Sequence, residues 1–368
     1  MLPLAPAPLA GQPESPSRPR RRRWVAPVVA LGLLVSAVIG AAVVPVPYVA
    51  LKPGSARPVS DQVLVEGAPS YPPRSSVAFT TVSLGSTTLL EALAGWLDDE
   101  VDVLPEEAVR GGRSEEENRR YNAELMDSSK HVAIAVALER LGHDVDITTS
   151  GTVVRDILPD SPAADALELD DVIVAVDGEP VDEPGEIGEL LQPGGPGGAH
   201  VLTVERPAGS DRRLDLEVVT VPADDDPTRA IIGISAEDRI TAFDFPVDVT
   251  IDSGRVGGPS AGLAFALAVI DVLTPGELTG GNRVAVTGTI DLTGRVGRVG
   301  GGAQKAAAVR DAGYDVFLVP TDEVDEVREV LGDRVRVVPV GTLDEALEAL
   351  DSLGGNAGSV LAAQSAGP

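Results

Sequence analysis

The chain contains an uncharged stretch of 21 residues, from Trp24 to Val44, directly after the arginines at positions 18 and 20–23. A helix with a rise of about 1.5 Å per residue and this length spans the roughly 30 Å hydrocarbon core of a bilayer. The basic cluster predicts a cytoplasmic N-terminus, with the chain after about residue 46 on the outer side. The alternatives are a buried helix of a soluble protein and a cleaved signal peptide, whose apolar region usually has only about 7–15 residues. We expect a single transmembrane helix at residues 24–45.

Composition restricts the rest of the chain. Its 368 residues suffice for two or three domains, and with 3% aromatic residues the cores must consist of Val, Leu, Ala and Ile. Cysteine is absent, which excludes disulfides, thiolate nucleophiles and Cys-ligated zinc. The first 24 residues carry a charge of about +4, so the remainder carries about −32. Such an acidic body repels phosphate backbones, and we expect no nucleic-acid partner.

The region from about residue 145 to 222 has the pattern of a small β-rich domain. Ser161-Pro162 predicts a short helix with proline at its first position, and Val176-Asp177-Gly178 predicts a strand that ends in a turn. These motifs resemble a PDZ domain of the bacterial protease-associated kind. The resemblance implies that an extended peptide, often a C-terminus, is bound at a sheet edge. The usual Gly-Leu-Gly-Phe carboxylate loop is not recognisable, and an unrelated small β-rich domain is the alternative.

A serine in a glycine-rich turn is the first candidate for chemistry. The segment Gly257–Ser260 leads directly into an apolar helix predicted over Ala261–Leu273 and ended by Pro275. At a helix N-terminus, free N–H groups and the helix dipole favour developing negative charge, and adjacent glycines let a substrate carbonyl approach closely. The arrangement suits an oxyanion hole. The alternative is that Ser260 serves only as an N-cap.

Lysine is the second candidate because it is rare. Only Lys52, Lys130 and Lys305 occur, against 26 arginines. Lys305 follows Gly300–Gly302 and opens an alanine-rich helix, where desolvation would lower the pKa of its amine and make it a base. Arginine cannot lose its proton in this way. An isolated lysine is ordinarily a solvated surface charge, but the rarity, the apolar context and the serine together favour a Ser–Lys dyad.

These two segments resemble the Lon peptidase family over roughly residues 231–350. Gly-Pro-Ser-Ala-Gly at 258–262 matches the nucleophile motif of the family, and Thr287–Ile290 with Lys305 matches its lysine motif. The resemblance implies Ser260 as the nucleophile, Lys305 as the general base and Thr287 as an assisting threonine. It also implies a nucleophile turn made of Gly258, Pro259, Ala261 and Gly262, and assembly into a hexameric ring. The family often has an acidic residue three positions before the serine, where this chain has Gly257.

Two absences agree with this interpretation. His131, His143 and His200 are the only histidines and all precede the candidate domain, so a Ser-His-Asp triad cannot form within it. No lysine follows a glycine, so the P-loop of an ATPase is absent. His143 with its neighbouring aspartates could suggest a metal, but a solvent-facing loop is the favoured interpretation. We expect no metal and no cofactor.

Together the anchor, the PDZ-like unit and the peptidase unit resemble bacterial membrane-anchored PDZ and Lon domain proteins, and the Arg- and Ala-rich composition agrees with an actinobacterial source. We predict an α+β protein with a transmembrane helix, a β-rich PDZ-like domain and a C-terminal α/β proteolytic domain of the Lon type. The predicted boundaries are a basic cytoplasmic N-terminus at 1–23, the transmembrane helix at 24–45, an extracytoplasmic β/α segment at 46–127, the PDZ-like domain at 128–223, the proteolytic domain at 231–350 and a disordered tail at 354–368.

The predicted function is ATP-independent endopeptidase activity on the outer face of the cell membrane. The expected partners are proteins or peptides whose unfolded or C-terminal segments the PDZ-like domain captures, and the membrane itself. The alternative is a membrane-tethered peptide-binding scaffold with a dormant peptidase fold.

Overall fold

The computed structural model describes residues 22–75, 77–206, 212–223 and 226–365, which form a mixed α+β structure. The helices are α1 (Arg22–Val43), α2 (Leu89–Gly95), α3 (Glu106–Arg110), α4 (Glu115–Arg140), α5 (Pro184–Leu191), α6 (Gly262–Leu273), α7 (Gly302–Ala312), α8 (Val324–Leu331), α9 (Leu343–Ser352) and α10 (Ala357–Ser365). The strands are β1 (Pro45–Pro58), β2 (Val63–Glu66), β3 (Ala78–Thr88), β4 (Asp102–Pro105), β5 (Asp146–Ile157), β6 (Val172–Val176), β7 (Glu179–Pro180), β8 (Ala199–Arg206), β9 (Arg212–Val219), β10 (Val221–Pro222), β11 (Ala230–Ile231), β12 (Ile234–Asp244), β13 (Asp248–Ile251), β14 (Val284–Val286), β15 (Thr289–Ile290), β16 (Val296–Gly297), β17 (Val316–Pro320) and β18 (Arg336–Val340).

The larger sheet combines strands from the two ends of the chain, in the order β18-β17-β14-β3-β1-β4. Strands β18, β17, β14 and β3 run parallel, whereas β1 pairs antiparallel with β3 and with β4. Strand β17 is buried at every residue, as expected for a parallel strand covered on both faces. The predicted 46–127 segment therefore completes the sheet of the C-terminal domain and is not a separate unit.

Helix α6 forms the centre of the larger core. All its residues from Gly262 to Val272 are buried, which fits a helix that is apolar on all sides. It packs against the long helix α4, whose residues Ala133, Ile134 and Leu138 belong to the same core. Ser114 and Glu117 form a capping box that fixes the start of α4. Helix α4 thus supports the helix that follows the candidate serine.

The smaller sheet has the order β12-β5-β6-β8-β9 and its own apolar core, which includes Ile173 and Leu202. The predicted Asp177-Gly178 turn follows β6, and both residues have positive φ, 52° and 85°, as a two-residue hairpin turn of type I′ requires. Proline begins the predicted short helix after Ser161, a 3₁₀ turn at Pro162–Asp165. The PDZ-like sequence pattern therefore corresponds to a compact β-rich unit.

Two elements cross the predicted domain boundaries. Strand β12 pairs along its length with β5 in the smaller sheet and leads directly into β13, which pairs with β2 beside the larger core. Helix α4 extends to Arg140, within the predicted 128–223 unit, but packs on α6. Only residues 245–247 separate the last strand of the smaller sheet from β13.

The N-terminal prediction is not confirmed by the structure. Residues 1–21, which include most of the predicted cytoplasmic segment, lie outside the described part of the chain. Across the described ranges, no helix is both long enough and apolar enough to cross a membrane. The expectation of a transmembrane helix at 24–45 therefore receives no support here.

The predicted disordered tail is wrong for most of its length. Residues Ala357–Ser365 form α10, and Ala357 and Val360 are buried in the larger core. The Arg140 guanidinium donates a hydrogen bond of 3.0 Å to the Val360 carbonyl. Two small apolar residues three positions apart suffice to dock one face of a short helix, which composition alone does not reveal. Residues 366–368 lie outside the description.

Asp271 is a buried carboxyl group on the otherwise apolar helix α6. It is 1% exposed, and its Oδ1 accepts a hydrogen bond of 2.9 Å from the Leu278 amide. Burial raises the pKa of Asp271 to about 7, although this hydrogen bond acts in the opposite direction. The folded state therefore binds a proton at Asp271 more tightly than the unfolded state does.

The expected consequence is a loss of stability as the pH rises from 3.8 to about 7, since the unfolded state releases the Asp271 proton over that window while the folded state retains it. Asp271→Asn removes the titration. As the pH rises from 5 to 8, we expect the free energy of unfolding of the variant to increase by about 1–3 kcal/mol relative to that of the wild type. Urea denaturation at both pH values measures the difference, with the exposed Asp322→Asn as the control. If the difference in unfolding free energy between the variant and the wild type is the same at both pH values, the raised pKa of Asp271 is contradicted.

Candidate active site

Helix α4 holds the nucleophile turn predicted from sequence. Gly258 has a φ of +89°, and its amide donates a hydrogen bond of 2.7 Å to the Asn122 carbonyl. The Pro259 carbonyl accepts hydrogen bonds from the Ser129 hydroxyl at 3.0 Å and from the Gly262 amide at 3.2 Å. The turn is therefore fixed from both sides before α6 begins.

Ser260 is half-buried and lies two residues before the first residue of α6. The N-cap position belongs to Ala261, so the structure does not support the alternative that Ser260 is only an N-cap. Its carbonyl accepts hydrogen bonds from the Gly288 amide at 3.0 Å and the Thr287 hydroxyl at 3.4 Å. Within the described residues its Oγ has no hydrogen-bond partner and is free to take part in chemistry.

Lys305 lies on the second turn of α7 and is 1% exposed. Its Nζ donates a hydrogen bond of 3.2 Å to Thr287 Oγ1. Thr287 is fully buried and contacts Lys305 and Ser260 through the same hydroxyl. The structure therefore brings the three predicted residues together, with Thr287 between the other two. Among the described contacts, no hydrogen bond joins Ser260 Oγ directly to Lys305 Nζ.

Burial changes the chemistry of the lysine. Desolvation lowers the pKa of Lys305 to about 8, from 10.5, while the negative charge of Glu323 acts in the opposite direction. A substantial fraction of the amine is then neutral at mildly alkaline pH. A neutral amine can accept a proton, as a general base must.

Glu323 is a residue of the site that the sequence did not reveal. It is 2% exposed, it accepts a hydrogen bond from the Val299 amide, and its Oε2 has no partner among the described residues. Burial raises the pKa of Glu323, and the positive charge of Lys305 partly offsets this effect. The only sequence signal was an acidic residue shortly after the fully apolar strand β17.

A second carboxylate holds the start of the lysine helix. Glu326, on α8, accepts a hydrogen bond of 2.9 Å from the Ala303 amide. Glu323 and Glu326 therefore fix the segment before α7 and its first turn. Free amides at a helix start favour such carboxylate partners.

The structure also explains Gly257, where an acidic residue was expected. A Cβ atom at this position would lie 2.9 Å from the Asn122 Cβ and 3.1 Å from its carbonyl oxygen. Helix α4 thus occupies the space that a side chain would need.

An open cavity of about 520 Å³ lies beside Ser260. Strands β1 and β3, the loop before Ser260 and Met126 of α4 form its walls. This volume accommodates several side chains of a substrate. Within the described ranges, no group of three or more His, Asp or Glu side chains could hold a metal ion.

Comparison with known families identifies two domains. Residues 237–351 match the Lon protease (S16) C-terminal proteolytic domain, and residues 153–206 match a PDZ domain. Ser260, Thr287 and Lys305 all lie within the first match.

Similar proteins include the Lon protease of Clostridioides difficile (strain 630), 39% identical over 107 residues, which cover 28% of this chain and 13% of the relative. The Lon protease of Campylobacter concisus (strain 13826) is 32% identical over 143 residues, covering 38% of this chain and 17% of the relative. This chain therefore spans less than a fifth of the length of these relatives. The PDZ domain of the SdrC-like protein from Listeria monocytogenes shares 22% identity, with coverage of 25% of this chain and 92% of that chain and a TM-score of 0.22, too low to establish a common fold.

The electrostatic coupling between Glu323 and Lys305 predicts a pH effect. A carboxylate near the amine stabilises its protonated form, so Glu323→Gln should lower the pKa of Lys305 further while keeping an acceptor for the Val299 amide. For the wild type, we expect kcat/KM for peptide cleavage to rise with pH through about 8. In Glu323→Gln the rise should move to lower pH.

The measurement is the pH profile of kcat/KM for both proteins. The exposed Glu329→Gln, on the same helix α8, is the matched control and should leave the profile in place. A rise that stays at the same pH, or moves upward, in Glu323→Gln would show that its carboxylate does not act on the base.

Proposed function

We propose that the chain is a serine endopeptidase in which Ser260 is the nucleophile and Lys305 the general base, and which needs no ATP. The observation that carries the proposal is the buried Lys305 amine, whose pKa is lowered to about 8, bonded to the threonine that also contacts the serine segment. The similarity of this segment to a Lon proteolytic domain supports the reaction class. Peptide hydrolysis by a Ser–Lys pair requires no metal and no cofactor.

In the proposed reaction, Ser260 Oγ rotates to within hydrogen-bonding distance of neutral Lys305, which takes its proton. The alkoxide attacks the peptide carbonyl and forms a tetrahedral intermediate. Lysine then gives the proton to the leaving amine, so the C–N bond breaks and an acyl-enzyme forms at Ser260. Water, deprotonated by the same amine, attacks this ester, the bond from the acyl carbon to Ser260 Oγ breaks, and Lys305 returns the proton to Oγ. Thr287 keeps Nζ oriented between these steps.

The backbone of the turn supplies candidates for the oxyanion hole. Gly258 donates its amide hydrogen to Asn122, Gly262 donates to Pro259, and Pro259 has no amide hydrogen. Within the described part of the chain, the amides of Ser260 and Ala261 donate to no other residue. These two N–H groups therefore remain to stabilise an oxyanion, at the place where the dipole of α6 also favours negative charge.

The dyad predicts a specific pattern among variants. Ser260→Ala removes the nucleophile, and Lys305→Arg keeps a cation that cannot release its proton. We expect each to lower the cleavage rate of an unfolded protein by at least about 10³-fold, without additional loss in the double variant, because the two groups act as a unit. The assay contains no nucleotide, so it tests ATP independence as well.

Lys52→Arg is the matched control, since Lys52 is exposed and its charge acts on Glu91 at the start of α2. It should retain wild-type activity. Circular dichroism verifies folding of all variants. An unchanged rate in Ser260→Ala or Lys305→Arg would eliminate the mechanism.

The PDZ-like unit is proposed to capture substrates at the edge strand β12. This strand has a neighbour only on the β5 side of the sheet among the described strands, and it packs near α5. An extended peptide can add to such an edge through backbone hydrogen bonds. Strand β12 continues into β13 and then into the nucleophile loop. A peptide bound to β12 would therefore lie beside a stretch of backbone that leads to the candidate site.

Capture of C-termini can be separated from binding at the active site by competition. A pool of random decapeptides with free carboxylates should slow cleavage of an unfolded protein but not of a short, end-blocked fluorogenic peptide, which needs no capture. The same pool with amidated C-termini is the control and should have little effect. Equal inhibition by both pools, or inhibition of both substrates, would contradict capture through the C-terminus.

A binding-only scaffold is the alternative function, and the missing direct bond between Ser260 and Lys305 favours it. The Ser260→Ala assay decides between the two, since a scaffold has no activity to lose. Location outside the cytoplasm remains a proposal from the arginine cluster at positions 18–23, and a hexameric ring remains a proposal from the family resemblance.

A further inference from the structure

The cavity beside Ser260 differs in charge from the rest of the protein. The chain contains 57 Asp and Glu residues against 29 Lys and Arg. The residues around this cavity nevertheless include two arginines, Arg57 and Arg255, and no acidic residue. Both arginines are exposed to solvent. The approach to the candidate nucleophile is therefore a basic patch on an acidic molecule.

Neither arginine forms an ion pair with a carboxylate of the described residues. Among the described residues, the Arg57 side chain donates a hydrogen bond to the Ser55 hydroxyl, and the Arg255 side chain donates none. Several arginines elsewhere are paired, as Arg206 is with Asp171 at 2.7 Å and Arg310 with Glu100 at 2.9 Å. Although the protein is strongly acidic, both guanidinium groups at this cavity are available to bind a carboxylate group of another molecule.

The position of Arg57 is fixed by a hydrogen-bonded network across two strands. Its Nε donates to Ser55 Oγ at 2.9 Å, and the Ser55 amide donates to Thr81 Oγ1 at 2.9 Å. These contacts lie where the register between β1 and β3 shifts, so the network replaces regular ladder bonds. The two terminal nitrogens of the guanidinium are not used by this network. A preorganised arginine loses less freedom on binding than a mobile one.

The wall of the same cavity also contains a buried hydroxyl group without a partner in the described part of the chain. Thr80 lines it and is 2% exposed, and its Oγ1 has no hydrogen-bond partner among the described residues. Buried hydroxyls are nearly always paired, because an unpaired one is costly.

We propose that this cavity binds a carboxylate of the polypeptide substrate through Arg57 and Arg255, within a few residues of the bond that Ser260 attacks. A guanidinium binds a carboxylate through two parallel hydrogen bonds, which Lys or a neutral side chain cannot reproduce. The carboxylate comes either from an Asp or Glu side chain or from a free C-terminus. The inference rests on the proposed peptidase function, since it assigns a substrate preference to the same site.

The first experiment maps cleavage sites. A mixture of unfolded, alkylated proteins is digested with the full chain, and the new termini are identified by mass spectrometry. We expect Asp and Glu to be enriched at one or two fixed positions next to the cleaved bond, or cleavage to concentrate at a fixed distance from the original C-termini. The first pattern identifies side chains as the source of the carboxylate, and the second identifies the terminus.

The second experiment uses matched fluorogenic peptides that carry Glu, Gln or Lys at the position found, with blocked ends, and one Gln peptide with a free C-terminal carboxylate. In the wild type we expect about tenfold higher kcat/KM for the carboxylate peptides than for the blocked Gln peptide. This ratio should fall toward one in Arg57→Gln, in Arg255→Gln and at high salt. In Arg255→Glu the preference should move to the Lys peptide. The exposed Arg334→Gln is the matched control and should retain the wild-type ratio.

The outcomes distinguish a failure of the carboxylate preference from a failure of the peptidase function. Cleavage without any preference for a carboxylate, or a preference that both arginine variants retain, would overturn this inference and leave the peptidase function intact. No cleavage of any protein or peptide, with Ser260→Ala indistinguishable from the wild type, would overturn the peptidase function itself.

Discussion

Two backbone hydrogen bonds connect the halves of the candidate site. The Gly288 amide donates to the Ser260 carbonyl at 3.0 Å, and the Leu263 amide donates to the Gly288 carbonyl at 3.1 Å. These bonds join the start of the buried helix α6 to the segment after β14, so Thr287 lies beside the nucleophile turn. Gly288 has a φ of +143°, and a Cβ there would lie 2.7 Å from Val296 Cγ1. Only glycine permits this connection, on which the relation between Ser260 and Lys305 depends.

The buried lysine destabilises the fold that contains it. A pKa lowered from 10.5 to about 8 means that, at neutral pH, the folded state holds the ammonium less favourably than the unfolded state, by about 3 kcal/mol. This penalty is complete below pH 8 and disappears as the pH rises to 10.5. The negative charge of Glu323 reduces it but does not remove it. A methionine would fill the same space without the penalty, so the amine is better explained by chemistry than by stability.

Local patterns predicted the elements whose signals are local. The Asp177-Gly178 turn, the proline start after Ser161 and the glycines before α7 each dictate backbone geometry over a few residues, and the structure contains all three. Elements that depend on distant partners were not predictable. The pairing of β3 with the C-terminal strand β14, the docking of α10 and the proximity of Glu323 to Lys305 arise from contacts across many residues, and no local spacing encodes them.

The direction of strand β12 determines how a peptide bound to it would be oriented. A peptide that adds antiparallel to β12 has its C-terminus at the Gly233 end and its preceding residues toward Asp244, where the chain continues into β13 and the nucleophile loop. The register shifts between β12 and β5 do not interrupt the strand, so a bound segment would keep one orientation. In the proposed capture, the residues upstream of a bound C-terminus would lie toward Asp244 and β13. Because only residues 245–247 separate β12 from β13, the proposed capture would be connected to the candidate site through a short stretch of backbone.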